Sequence, residues 1–466
     1  MELTMSSAIW QVMVDAAIMG TLLLIGELLR AKVKLIQKVL VPPAVIAGLL
    51  ALLFGPKSPI EALQILPLSG SFGTYASVLI VLVFAATPIG DKPQKGAMSG
   101  PKMMGMFFNV TGIAVLQYAV GMLVTVVLLT KLYPALNENF GLMMATGFYG
   151  GHGTAAAVGK ALQDLGVENM TDLGNTCATI GIVGGILTGM IIINWGCRKG
   201  YTHYVENPKD LPVEMKTGLV PPERQKTSTK GPVASICLDP LGYHIGIVLF
   251  ASWLGYMASK WFAAWTLATF NYKVSIPEFC LSLIAGLIVN AFLNKSGAQK
   301  YVDRGTVQRI QGTATDFLMI SGIGSLNLTV VMDYAVPLIV VCGLGFLINW
   351  FWFIYIGGKS SESDWFERNM MVWGHATGVA ATGVLLQRVV DPDMKSRGIE
   401  DSGISDIFNR PIIILLQVLP PILITSMGTS GSWIVTIACF AVVAVMWIVA
   451  WMSKGWVPGR KLVKYR

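Results

Sequence analysis

The chain has 466 residues, of which 54% are hydrophobic and only 13% charged, with a mean hydropathy of +0.62 and a formal net charge of +8. An average soluble domain carries about 25% charged residues, so a water-soluble enzyme, a coiled coil and a disordered chain are excluded. Fifty glycines and 22 prolines in so apolar a chain fit a membrane helix bundle, where small residues let helices approach and neighbours satisfy interrupted backbone.

A helix crossing the bilayer needs about 20 largely apolar residues. That template predicts spans near 8–28, 36–54, 70–90, 104–130 and 174–195, then near 236–257, 276–293, 312–332, 335–357, 411–427 and 433–452. The fold class expected is therefore an all-α integral membrane protein with 10 or 11 transmembrane helices. The N-terminus lacks a basic segment followed by a cleavage site, so the first apolar run is expected to be retained. The six cysteines stand singly, without CxxC, and suggest neither a disulfide framework nor a metal centre.

With alternate loops in the cytoplasm, 29 of the 34 lysines and arginines fall on that side, beginning with Arg30, Lys32, Lys34 and Lys38, then Lys92, Lys95 and Lys102. The positive-inside rule then puts the N-terminus outside and the C-terminus in the cytoplasm. The basic charge is a topology signal, and no nucleic-acid partner is expected.

Two apolar segments do not read as spans. Residues about 140–160 contain Gly147, Gly150, Gly151 and Gly153, and counting them as a crossing would move every later basic loop outside. They are expected to form a re-entrant hairpin entered from outside, and residues 370–387 one entered from inside. The tips predicted are Gly151-His152-Gly153-Thr154 and Gly374-His375-Ala376-Thr377, 223 positions apart. Upstream, Gly73-Thr74-Tyr75-Ala76 faces Gly312-Thr313-Ala314-Thr315, and Pro42 with Ala47-Gly48-Leu49 faces Pro277 with Ala285-Gly286-Leu287. Collinear matches between halves that begin on opposite sides predict an inverted repeat, an architecture of secondary transporters. The domains expected are an N-terminal repeat at 1–198, a cytoplasmic linker at 199–235, a C-terminal repeat at 236–430, and an extra helix with a basic tail at 431–466.

On Gly150-Gly151-His152-Gly153-Thr154, its alanine-rich continuation and the Pro42-Pro43 helix entry, the chain resembles the bacterial sodium/glutamate symporter family over about residues 10–430. It departs from that pattern in a second tip poorer in glycine, a long loop at 196–235 and the helix at 433–452. The resemblance implies inverted five-helix repeats, each with a glycine-rich re-entrant hairpin. It also implies sodium-coupled uptake of L-glutamate or a related anionic solute, a homodimer, an elevator movement, and a multi-pass location in the bacterial inner membrane.

The residues themselves offer a substrate group, Gly150, Gly151, His152, Gly153, Thr154, Gly374, His375, Thr377 and Arg388. Exposed amides at broken helices and half-helix N-termini suit a carboxylate. The glycines otherwise serve packing. His152 and His375 either titrate or donate to the solute, or act as neutral struts; Thr154 and Thr377 either bind it or cap backbone. Arg388 either pairs with a carboxylate or marks a span boundary. Asp316, deep in a predicted span, offers oxygen to a sodium ion together with Thr313, Thr315 and Ser321, or else pairs with Arg309. Asn175 and Thr176 either complete that cage or cap a helix. Asp15, Glu27, Asp239, Glu278 and Asp333 lie near span ends and read as solvated or interfacial. A channel with filter-like re-entrant loops is the alternative; an intramembrane enzyme is the third class, although no HExxH, GxSxG, DFG or Walker motif supports it.

Overall fold

The computed structural model describes residues 8–39, 41–90, 100–205, 217–225, 230–234, 236–270, 278–361, 363–392 and 395–465. Lys92, Lys95, Lys273 and Pro277, and the linker residues 206–216 and 226–229, lie outside them. The fold is all-helical, with no strand among the described residues. Seven helices are long and apolar enough to cross a membrane, and Pro43–Phe54, Thr74–Ala86 and Leu281–Ser296 are shorter apolar helices. The protein is a multi-pass membrane protein.

Two predicted spans are each divided between two helices. The run at 36–54 is divided into a short helix, Lys34–Val39, and α2 (Pro43–Phe54), because each proline lacks an N–H and excludes the residue before it from the helical region. The run at 312–332 is carried by a helix that starts earlier and stops earlier, α10 (Arg304–Gly324). Asp303 caps it by accepting from the Thr306 amide at 2.9 Å and the Thr306 hydroxyl at 2.8 Å. Beyond Gly324 come Ser325 and Asn327, whose side chains compete for backbone, and a separate short helix, Leu328–Asp333.

The chain divides into two compact units, each drawing helices from both halves of the sequence. The first contains α1 (Ala8–Lys32), α2, α3 (Thr74–Ala86), α8 (Pro240–Phe270), α9 (Glu278–Ser296) and α10. One of its cores joins Met19 and Leu22 of α1, Ala44, Ala47 and Ala51 of α2, and Ile320 of α10. A Cβ at Gly48 would lie 2.7 Å from that of Ile323, so glycine sets the α2–α10 spacing. Asp15, expected to be solvated, is instead fully buried. It accepts from Gln11 at 3.1 Å, the Ser69 amide at 3.0 Å, the Tyr75 hydroxyl at 3.1 Å and the Ser69 hydroxyl. Four donors compensate the desolvation of the carboxylate.

The second unit contains α4 (Pro101–Leu132), α5 (Phe140–Phe148), α6 (Gly151–Asp164), α7 (Met170–Lys199), α11 (Ala335–Ser360), α12 (Trp365–Val390), α13 (Gly398–Met427) and α14 (Thr429–Met452). Its apolar core gathers Phe108, Tyr118 and Met122 of α4 with Phe140 and Phe148 of α5. That core holds two groups of hydrogen-bonded amides. The Asn109 side chain donates to Asn369 at 2.6 Å, the Trp352 indole donates to Asn109 at 2.8 Å, and Gln117 donates to Asn349 at 3.3 Å and to the Ala376 carbonyl at 2.6 Å. Helices α4 and α11 each carry a π-helical stretch, Thr125–Leu129 and Trp352–Gly357. Helices α7 and α13 each have 30 residues, enter through a left-handed residue (Asn169, Arg397) and are followed by a positive-φ glycine (Gly200, Gly428).

A strap formed by residues 456–465 crosses one end of this unit. Arg460 donates to the Lys359 carbonyl at 2.9 Å, the Trp365 indole to the Val463 carbonyl at 3.0 Å, and the Tyr465 amide to the Gly200 carbonyl at 2.8 Å. The Tyr465 ring stacks on His203 at 4.1 Å, and its hydroxyl accepts from the Asp364 amide at 2.7 Å. Beneath the strap, outside the seven long spans, Glu367 accepts from the His203 amide at 2.6 Å. Burial pushes its carboxyl up to about 7.

That shift has a definite sign. The folded chain keeps a proton that an unfolded carboxyl would release, so this contribution is full at low pH and is lost as pH rises through about 7. Melting curves in detergent between pH 6 and 8 should therefore show Glu367→Gln gaining on the parent as pH rises. Parallel curves would mean that Glu367 does not titrate there.

Candidate functional site

The second unit contains two helix interruptions. Between α5 and α6 the chain turns at Gly150 and Gly151, with Gly151 at φ +66°. Inside α12 it turns at Gly378 (φ −160°, ψ 42°) and Val379 (φ +66°, ψ 166°). A β-branched residue at positive φ with extended ψ, a region essentially restricted to glycine, costs about 1–3 kcal/mol and persists only where packing enforces it. Here the packing is the other break, because a Cβ placed on Gly151 would collide with the Val379 side chain.

Close backbone contact holds these segments together. In α12, a Cβ on Gly374 would lie 2.5 Å from the Gly383 nitrogen, so the two arms of the broken helix cross at a pair of glycines. A stripe of small residues along α7 receives both broken elements. A Cβ on Gly147 of α5 would lie 2.7 Å from the Ala178 amide, one on Gly159 of α6 would lie 2.5 Å from Thr171 Cα, Gly181 makes room for Thr377 and the Phe148 ring, and Gly185 makes room for Thr377. The Trp373 indole donates to the Gly185 carbonyl at 3.0 Å.

Among the residues nominated from sequence, Gly150, Gly151, His152, Gly153 and Thr154 form the first break and the opening turn of α6. His152 Nε2 lies 2.9 Å from the Thr179 hydroxyl, which donates to the Asn175 carbonyl at 2.9 Å. His152 Nδ1 and Asn175 Oδ1 are buried and have no hydrogen-bond partner. Thr176 donates to the Asp172 carbonyl at 2.7 Å.

The second break is not at the residues predicted for it. It falls at Gly378–Val379, four to five residues beyond Gly374, which lies within a helical arm. The breaks at Gly150 and Gly378 are separated by 228 positions, as are Asn169 and Arg397, and Gly200 and Gly428, whereas the matched motifs are 223 apart. At that spacing His152 falls on Ala380, and His375 on Gly147. Thr377 donates to the Trp373 carbonyl at 2.8 Å. Arg388 is exposed near the end of α12, nine residues past Val379 and roughly 13 Å along the helix at 1.5 Å per residue.

Asp316, Thr313, Thr315 and Ser321 belong to the first unit, whereas both breaks, Asn175 and Thr176 belong to the second. Thr315 and Ser321 donate to carbonyls of their own helix, of Gln311 at 2.8 Å and of Leu318 at 3.0 Å. Asp316 is partly exposed and makes no hydrogen bond or ion pair with any described residue, Arg309 included.

Four residues that the sequence did not single out surround the breaks. The Tyr149 ring, directly before Gly150, stacks on His375 at 4.4 Å and 15°. Its hydroxyl accepts from Asn409 of α13 at 3.0 Å. Asn409 also donates to Asp406 at 3.1 Å, and an Asp406 oxygen lies 3.8 Å from His375 Nδ1, which has no hydrogen-bond partner. Thr179 bridges His152 and Asn175. Only Tyr149 had a sequence signal, its place beside the glycine cluster.

If the contact between the breaks matters, Gly151→Ala should lower transport at least tenfold without loss of expression. Val379→Ala alone should be mild, and the double variant should recover part of the deficit because the collision is gone while the backbone strain remains. Additive losses in uptake would show that the two positions act separately.

Comparison with curated proteins and with solved structures gives no match. Residues 9–383 match the family described as the sodium/glutamate symporter. The match covers most of the chain, both breaks included, and stops before α13 and α14. The chain belongs to the sodium/glutamate symporter family, and it is a transporter rather than an enzyme.

Proposed function

We propose that the protein carries glutamate, or a closely related acidic amino acid, into the cell together with sodium, and that the solute is held where the two helix breaks meet. The meeting of Gly151 with Val379 inside one compact unit is the observation that carries this reading. Interrupted helices at membrane depth are tolerated only where they line a cavity or are buried in protein. Paired interruptions are the usual substrate site of secondary transporters.

The chemistry suits an anion and a hard cation. Helix α6 starts at the break, so the amides of its first turn and its positive dipole end face the position a carboxylate would take. The unpaired side-chain Oδ1 of Asn175 and the backbone carbonyls released at the breaks are the oxygen ligands that sodium prefers. Asp316, in the other unit, is a second candidate for the cation.

In this reading the segments at 140–164 and 365–390 are re-entrant hairpins, and the repeated 228-residue spacing supports an inverted repeat. The second unit, which holds both breaks, is the moving body of an elevator, and the first unit is its frame. The protein sits in the bacterial inner membrane with its N-terminus outside and works as a homodimer.

Proteoliposomes with an inward sodium gradient should accumulate L-glutamate above equilibrium, and collapse of the gradient should abolish accumulation. Glutamate flux that only equilibrates, gradient or not, would point to a channel. The orientation has its own check. A cysteine at Val220, exposed in the linker, should react with an impermeant thiol reagent only after cells are permeabilised, and labelling of intact cells would reverse the topology.

A further inference from the structure

We propose that Asp406, with the Tyr149 hydroxyl beside it, is the subsite that receives the α-ammonium group of the solute and so selects amino acids over plain dicarboxylates. The inference rests on the reading of the breaks as the solute site and adds the determinant of its specificity.

Asp406 lies in α13, outside the residues matched to the family, so no family motif assigns it. Other acidic residues of the second unit are already engaged. Asp401 pairs with Arg368 at 2.7 Å, Asp391 accepts from the Ser396 amide and hydroxyl at 2.8 and 2.7 Å, and Asp364 meets His203 at 2.7 Å. Asp406 is met by two neutral groups, the Asn409 amide at 3.1 Å and the Tyr149 hydroxyl, and its side chain is 21% exposed. Its neighbours come from both broken elements, Tyr149 from the first and His375 from the second.

The charged and titratable groups around it are few. His375 Nδ1, at 3.8 Å, is too far for a hydrogen bond, and Arg410, one turn further along α13, acts electrostatically on Tyr149. A carboxylate near the start of a membrane span is costly unless a cation or several donors reach it. An ammonium group supplies one positive charge and three donors, for which the Asp406 oxygens and the Tyr149 hydroxyl are acceptors.

The test is competition by L-glutamate and by glutarate, which has both carboxylates and no amino group, against sodium-driven glutamate uptake. The parent protein should prefer glutamate at least a hundredfold. In Asp406→Asn that preference should fall tenfold or more, with glutarate affinity held or improved, because the carboxylate no longer repels it. Asp406→Glu should keep most of the preference, and Tyr149→Phe should reduce it two- to fivefold, which keeps the assignment testable if the Asn variant does not fold. Equal weakening of both solutes in folded Asp406→Asn would reduce Asp406 to a structural role and overturn the subsite. A parent protein that takes up glutarate as well as glutamate would also overturn it, while leaving sodium-coupled carboxylate transport intact. Absence of sodium-driven uptake of either solute would overturn the proposed function, and the subsite with it.

Discussion

Everything in the second unit depends on how closely backbone can approach α7. Gly174, Gly181, Gly185 and Gly189 present a face without side chains, and onto it pack Ala155 of α6, Thr377 at the second break and Leu386 of α12. Lipid tails are as apolar as leucine, so burial of apolar surface gives helices little reason to associate inside a bilayer. Dispersion contacts at short range and hydrogen bonds supply the attraction instead, and both require small residues at the contact. The fifty glycines of this chain are thus a condition for packing interrupted helices against a straight one.

Polar cohesion is the second element. Two buried groups join α4, α11 and α12, one of Asn109, Asn369 and the Trp352 indole, the other of Gln117, Asn349 and the Ala376 carbonyl, two residues before the second break. A buried amide that loses its partner costs about 1–3 kcal/mol, so these bonds specify one register between these helices. The positive-φ Val379 is held open by that register and by Gly151.

Much of this architecture is legible in the sequence, and the rest is hidden for identifiable reasons. Composition and apolar runs announce the long helices. Prolines 42 and 43 stand where a run divides, although a length template alone merges the pieces. Gly150 and Gly151 mark their own turn, but the Gly-His-Ala-Thr motif misleads, since its similarity to Gly-His-Gly-Thr is one of letters and the helix breaks four to five residues beyond its first glycine. Val379 breaks a helix with a residue that ordinarily extends one, which no propensity anticipates. Asp15 and Asp406 both look interfacial in one dimension. The donors around Asp15 lie more than fifty positions away except for Gln11, and Asp406 meets Tyr149 and His375 only through tertiary packing.

The same long separations bear on how the protein comes to exist. Asn109, Gln117 and Gly151 find their partners at Asn369, Ala376 and Val379, more than two hundred residues later. While the ribosome is still adding the second half, the helices around the first break have entered the bilayer with polar backbone and amide groups that nothing yet satisfies, at a cost of several kcal/mol for each unsatisfied group in lipid. Insertion and folding are therefore separate events here. The early helices wait in a loosely associated state, exposed to quality-control proteases and to wrong pairings, until α12 arrives and the unit closes around both breaks at once.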